Sequence, residues 1–268
     1  MTKPTSIARL NSRALIAVSG EDWRTFLQGL ITQDVESLAP GEPRFGALLT
    51  PQGRLMYDMF LVGRPDGAWL DVEAAGREAL ILRLSMYRLR AKVNIEADET
   101  PVLAAFGGDP GAGWLTDPRL AALGWRGYGI EPEANADEAA YDAHRLMLGV
   151  PGPADWAGET TYPIEANFDL LNGIDFKKGC FVGQETTSRM KRRGQIKSRM
   201  LPLAFEGGAP NSGAEVLNGE LRAGEVLSGA DGRAMALVRL DRIGGDLTAD
   251  GRKVRAEPPE WFATPADT

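Results

Sequence analysis

Residues 44–74 read RFGALLTPQGRLMYDMFLVGRPDGAWLDVEA, three apolar runs separated by the tetrapeptides PQGR and RPDG. Proline presets the backbone for the first corner of a turn, and glycine or aspartate completes it. The spacing therefore predicts an antiparallel meander of three strands. Such a sheet has an apolar face that must be covered by another layer, and the flanking segments have the pattern to cover it.

RALIAVSG (13–20) reads as a strand. Ser19 then stands as a helix N-cap, with Trp23, Phe26, Leu27, Leu30 and Ile31 on one helical face. Beyond the meander, GREALILRLSMYRLR has helical spacing through Leu80, Leu84 and Tyr87, and AKVNIEA reads as a strand. Residues 1–100 thus read β-α-β-β-β-α-β, an α+β layer. Residues 101–196 hold a second α+β run: the strand PVLAAF, a short helix DPRLAALG capped by Asp117, the strand WRGYGIE, and a helix ADEAAYDAHRLMLG closed by Gly149. FGGDPGAGW has no Lys-Ser/Thr after it and reads as a turn, not a phosphate loop. From 197 to 268, short strands alternate with Gly/Asn/Asp turns, which indicates a small β-barrel or sandwich ending in a poorly ordered tail, EPPEWFATPADT.

Composition excludes several chemistries. The 268 residues contain one cysteine, Cys180, and one histidine, His144. No internal disulfide is available, and no zinc or iron–sulfur site can be completed by thiolates and imidazoles of this chain alone. His144 lies on a helical pattern beside Arg145 and reads as a surface residue. No apolar run approaches 18 residues and the first 20 residues lack a signal-peptide core, so the expected location is cytoplasmic, with no membrane partner. The net charge of −7 disfavours direct nucleic-acid binding. Yet from Lys177 to Arg199 eight cations oppose Glu185 alone, a local +7 that suits a solvated loop or an anion site.

Cys180 sits inside that basic segment, in FKKGCFVGQETTSR. Lys177 and Lys178 are close enough in sequence to favour the thiolate, and Gly179 and Gly183 permit close backbone approach. Gln184 and Glu185 add an amide and a carboxylate.

KGCFVGQETTSR resembles the K-G-C-F/Y-x-G-Q-E-x-x-x-R signature of the YgfZ-type folate-binding proteins. These are relatives of the glycine-cleavage T-protein, an aminomethyltransferase, and support iron–sulfur cluster assembly or repair and, through it, tRNA modification. FLQGLITQDV, LLTPQGRLMYDMFLV, YRLRAKV and YPIEANFDLLNGIDFKKGC extend the likeness over most of the chain. The resemblance implies a ring of two α+β subdomains around a central cavity, closed by a C-terminal β-barrel, with boundaries near 100 and 196. It implies tetrahydrofolate or a one-carbon derivative as cofactor, and iron–sulfur client proteins or assembly factors as partners. Glu165 would meet the pterin's paired donors, with Asn167 nearby, Tyr162 and Phe168 flanking the ring, and the basic segment with Arg189 near the anionic tail. Cys180, assisted by Lys178, would act as a transient cluster ligand or redox thiolate. Gln184, Glu185 and Arg189 would either shape that loop or take a direct part.

One departure matters. Where the T-protein carries G-G-x-x-D-D, this chain has GRLMYD: Arg54 and Tyr57 replace a glycine and an aspartate, and Asp58 survives. Aminomethyl transfer is thereby in doubt, and a non-catalytic accessory role is expected. Two alternatives stay open: a folate-dependent one-carbon transferase or demethylase using Asp58, and an RNA-binding module using RMKRRGQIKSR.

Overall fold

The computed structural model describes residues 4–262 apart from 157, 195 and 231. The meander forms as its turns dictate. In chain order the first part comprises β1 (Ser6–Arg9), β2 (Arg13–Ser19), α1 (Trp23–Gln28), β3 (Pro43–Leu49), β4 (Leu55–Arg64), β5 (Gly67–Glu73), α2 (Arg77–Arg88) and β6 (Asn94–Asp98). Five of these strands make an antiparallel sheet in the order β3-β4-β5-β2-β6. Strand alternation splits its side chains between two cores. Met59, Leu61, Leu70 and Val72 pack under α1 and α2, whereas Leu55 and Phe60 point to the opposite face.

Helix α1 is shorter than its apolar spacing suggests. Leu30 and Ile31 are buried as expected but lie beyond its end. Ser19 does not cap it either, being the last residue of β2, paired with both Gly67 and Asn94. A strand's register outranks a local capping pattern when both sides of the residue are paired.

The second sheet combines β7 (Val102–Phe106), β8 (Leu115–Thr116) and β9 (Trp125–Tyr128) with the N-terminal β1, in the order β1-β7-β9-β8. The first strand thus crosses into the sheet of the following segment. The helix expected at DPRLAALG is only a single 3-10 turn, Ala121–Leu123. Asp117 does not cap it, because both its oxygens hold Arg119. Helix α3 (Glu138–Met147) follows, capped by Asp137 accepting from the Ala140 amide and closed by Gly149 at φ +69°.

Residues 162–181 run through turns and wedge between the first sheet and the C-terminal unit. Ile164, Phe168 and Phe181 bury against Phe45, Leu49 and Phe60 on one side and Met200 and Met235 on the other. Helix α4 (Gln184–Arg193) then leads into a closed antiparallel barrel, β10 (Ser198–Ala204), β11 (Glu215–Asn218), β12 (Leu221–Ala230), β13 (Arg233–Arg239), β14 (Leu247–Ala249) and β15 (Arg252–Ala256), in the order β10-β13-β12-β11-β14-β15. The expected loose tail is docked as far as it is described. Phe262 fills the barrel core and the Trp261 indole donates to the Leu148 carbonyl at 2.8 Å. Residues 263–268 lie outside the described residues.

Candidate functional site

The Cys180 loop is pinned from both sides. Asp175 accepts the amides of Lys177 and Lys178 through Oδ1, which starts a tight turn. The Lys178 side chain then runs inward, and its Nζ donates to the carbonyls of Gln28, Ile31 and Gln33 at 2.8, 2.7 and 2.7 Å. An ammonium has three protons, and all three are used there. Burial pushes the Lys178 pKa down to about 8, partly offset by Asp34, Asp175 and Glu36. Lys178 is therefore an anchor for the loop. It has no proton left for a Cys180 thiolate, which corrects the expectation that it assists the sulfur. Cys180 itself is exposed, beside the equally exposed Gly179.

Past the cysteine, Phe181 plugs the core and Gly183 turns the chain into α4 at φ +81°. A Cβ on Gly183 would lie 2.7 Å from the Thr50 carbonyl oxygen and 2.9 Å from the Gly53 Cα. The two glycines of GCFVGQE and LLTPQGR meet here, so two distant sequence motifs are one structural joint. Gly183→Ala is expected to destabilise the chain by about 2–3 kcal/mol through positive φ and backbone collision. Gly179→Ala, whose Cβ meets nothing within 4 Å, should stay within about 0.5 kcal/mol. Urea unfolding of both variants checks this pair.

Glu165 is half-buried beside a hollow of about 250 Å³ lined by Tyr162, Met190, Arg193, Ile196, Lys197 and Ser198. Its Oε2 accepts the Tyr162 amide at 3.0 Å. Burial raises its pKa, against the pull of that hydrogen bond and of Arg54. The Arg54 guanidinium covers one face of Tyr162 at 3.5 Å. A half-buried carboxylate, an aromatic ring and two cations in a ring-sized hollow suit a flat donor heterocycle with an anionic tail.

Two other residues expected beside a ligand are elsewhere. Phe168 is fully buried, 4.7 Å from the Phe45 ring and 5.7 Å from Trp156. Asn167, also buried at φ +61°, donates to the Met200 carbonyl and accepts from Arg199. Asn167 thus ties the 162–181 wedge to the barrel, and Phe168 packs it against the first sheet. Arg199 is likewise internal, ion-paired with Asp169, so two of the eight cations counted in the basic segment, Lys178 and Arg199, belong to the interior. The rest decorate α4 and its flanks. Arg189 is exposed on that helix, and Gln184, Glu185, Ser188, Lys191, Arg192 and Phe176 line an open groove of about 530 Å³.

Between the two sheets, where a central cavity is expected, lies a buried ion network that sequence reasoning missed. Arg13 bridges Asp58 at 2.9 Å and Asp71 at 2.7 Å, and Arg126 and Tyr128 donate to the other Asp71 oxygen. Asp117 holds Arg119, whose guanidinium also donates to Tyr141. Burial pushes Asp117 up, but Arg119 and Arg126 outweigh it and hold the carboxyl below the usual range. The space left beside Asp58 is about 40 Å³, room for roughly one water and not for a pterin. The signal was present as inward charges on apolar strands: Asp58 in LMYDMFL, Asp71 in AWLDVEA and Arg126 in WRGY.

Residues 197–264 match the C-terminal β-barrel domain of CAF17. Over 302 aligned residues the chain is 32% identical to the human mitochondrial iron–sulfur cluster assembly factor IBA57, covering 96% of this chain and 85% of that protein. The chain belongs to the IBA57 family. The mouse protein is 31% identical with 96% and 86% coverage, and the Neurospora crassa homologue is 31% identical over 96% of this chain, which spans 66% of its length. The aminomethyltransferase T of the Bartonella henselae glycine cleavage system shares the fold, with a TM-score of 0.74 at 20% identity over 94% of this chain and 84% of that one. The likeness read from the signature therefore holds at the level of the superfamily, with IBA57 as the family. The human, mouse and Neurospora relatives are mitochondrial proteins, which overturns the cytoplasmic expectation.

Proposed function

We propose that this chain serves iron–sulfur cluster assembly, with Cys180 as the group that meets the cluster or its carrier, and that it holds a reduced folate against Glu165. The observation that carries the reading is the exposed thiol on a loop anchored by Lys178 and Gly183. Among the described residues no three His, Cys, Asp or Glu side chains are placed to hold a metal ion. A cluster at Cys180 would take its remaining ligands from a partner. Rigid placement lowers the ordering cost of such an encounter.

The folate part rests on the Glu165 hollow. Glu165 would accept from the pterin's paired N–H groups, Tyr162 would border the ring, and Arg193 and Lys197 would face the tail. The bound cofactor would supply a one-carbon carrier or a reductant. Titrating purified protein with tetrahydrofolate should give saturable binding, weakened at least ten-fold by Glu165→Ala and unchanged by Cys180→Ser. No saturable binding to the wild type would remove the folate claim. The one-carbon transferase reading is disfavoured by Asp58, which is ion-paired in a space too small for the cofactor.

A further inference from the structure

Helix α2 and the residue that ends it carry three of the five large apolar side chains exposed among the described residues: Leu82 at 65%, Met86 at 59% and, just past the helix, Leu89 at 89%. Leu82 and Met86, one turn apart, share the helix face opposite the buried Leu80 and Leu84 that hold the helix to the sheet, and Leu89 follows at the helix end to make a short apolar ridge. Leu89 ends the ridge at φ +45° and ψ −104°, a conformation that strains any residue with a Cβ. The turn that imposes it is closed by the Ala91 amide on the Arg88 carbonyl, and Val93 is buried just beyond. The leucine side chain is almost entirely in water, so burial does not offset that strain.

The rim of the ridge is cationic. Arg83 and Arg90 flank it, whereas Arg88 donates to the Val93 carbonyl and the outlying cations Arg77 and Lys92 are already engaged by Glu78, Glu99 and Glu21. A second copy would set arginine against arginine. An anionic bilayer is a broad plane, whereas three side chains at the end of one helix make a compact patch of the size a groove on a protein holds.

We infer that the Leu82–Met86–Leu89 ridge docks into an apolar groove rimmed by carboxylates on a partner protein. Exposed apolar patches bordered by charge mark such surfaces, and the strained leucine supplies the anchor. The ridge involves neither Cys180 nor Glu165, so the inference stands apart from the folate reading.

A photo-crosslinking amino acid in place of Met86, used in the source cells, identifies the partner, which is then purified and titrated with the intact chain at low and moderate salt. Leu89→Gly should weaken binding at least ten-fold while the free chain melts at the same or a higher temperature, because glycine relieves the strain. Arg83→Glu with Arg90→Glu should weaken it further and flatten its salt dependence. Wild-type affinity in Leu89→Gly, or a lowered melting temperature in that variant, overturns the inference. So does the absence of any crosslinked protein. Flotation of the wild type with cardiolipin–phosphatidylcholine vesicles, or a sedimentation dimer that Leu89→Gly dissolves, would assign the ridge to a membrane or a second copy and overturn it equally.

Discussion

Asp71→Asn is expected to lower the stability of the chain by about 3–5 kcal/mol, the range for removing one partner from a buried ion pair. Asp71 is fully buried and accepts from Arg13, Arg126 and Tyr128. Its neutral isostere keeps the shape and loses the charge. Three buried arginines, Arg13, Arg119 and Arg126, would then share only Asp58 and Asp117. Arg126 has no slack to absorb the loss, since its Nε already lacks a hydrogen-bond partner. Urea unfolding should show the midpoint falling by roughly 1 M or more. A loss under about 1 kcal/mol would mean that water, not Asp71, screens these cations.

Lys178→Met is the second large effect. Methionine keeps the apolar stem and removes the ammonium, leaving the carbonyls of Gln28, Ile31 and Gln33 without their shared donor. An unsatisfied buried acceptor costs about 1–3 kcal/mol, and three acceptors on one turn relax together, so about 3–5 kcal/mol in all is expected. Hydrogen exchange over residues 176–183 should accelerate, because the loop loses its inner anchor while Gly183 keeps the outer one. Arginine should not rescue it: three carbonyls around one point suit a compact ammonium, not a planar fork. Near-wild-type stability in the methionine variant would contradict the anchoring role.

The meander was legible because its turns are written in proline, glycine and aspartate, and α2 because Leu80 and Leu84 keep a strict period. Strands β14 and β15 were not, since LTA and RKVRA carry too few apolar residues to show a period. At DPRLAALG a local capping pattern lost to the Asp117–Arg119 pair, whose value comes from burial that no window of eight residues reveals. The site divided in the same way. Exposure of Cys180 suited its glycine-rich neighbourhood, but the partners of Lys178 lie 145–150 residues away in sequence, so its proximity to the cysteine suggested the wrong contact. Phe168 and Asn167, next to Glu165 in sequence, point into the core because the segment 162–172 turns tightly, with Asn167 and Asn172 both at positive φ.

The most direct test of the account is the activity of cluster-dependent enzymes in source cells whose own copy of the gene is deleted and replaced by Cys180→Ser. With the variant present at wild-type level, the account predicts that these enzymes stay at the deletion level, while the wild-type gene restores them. Full restoration by Cys180→Ser would contradict it.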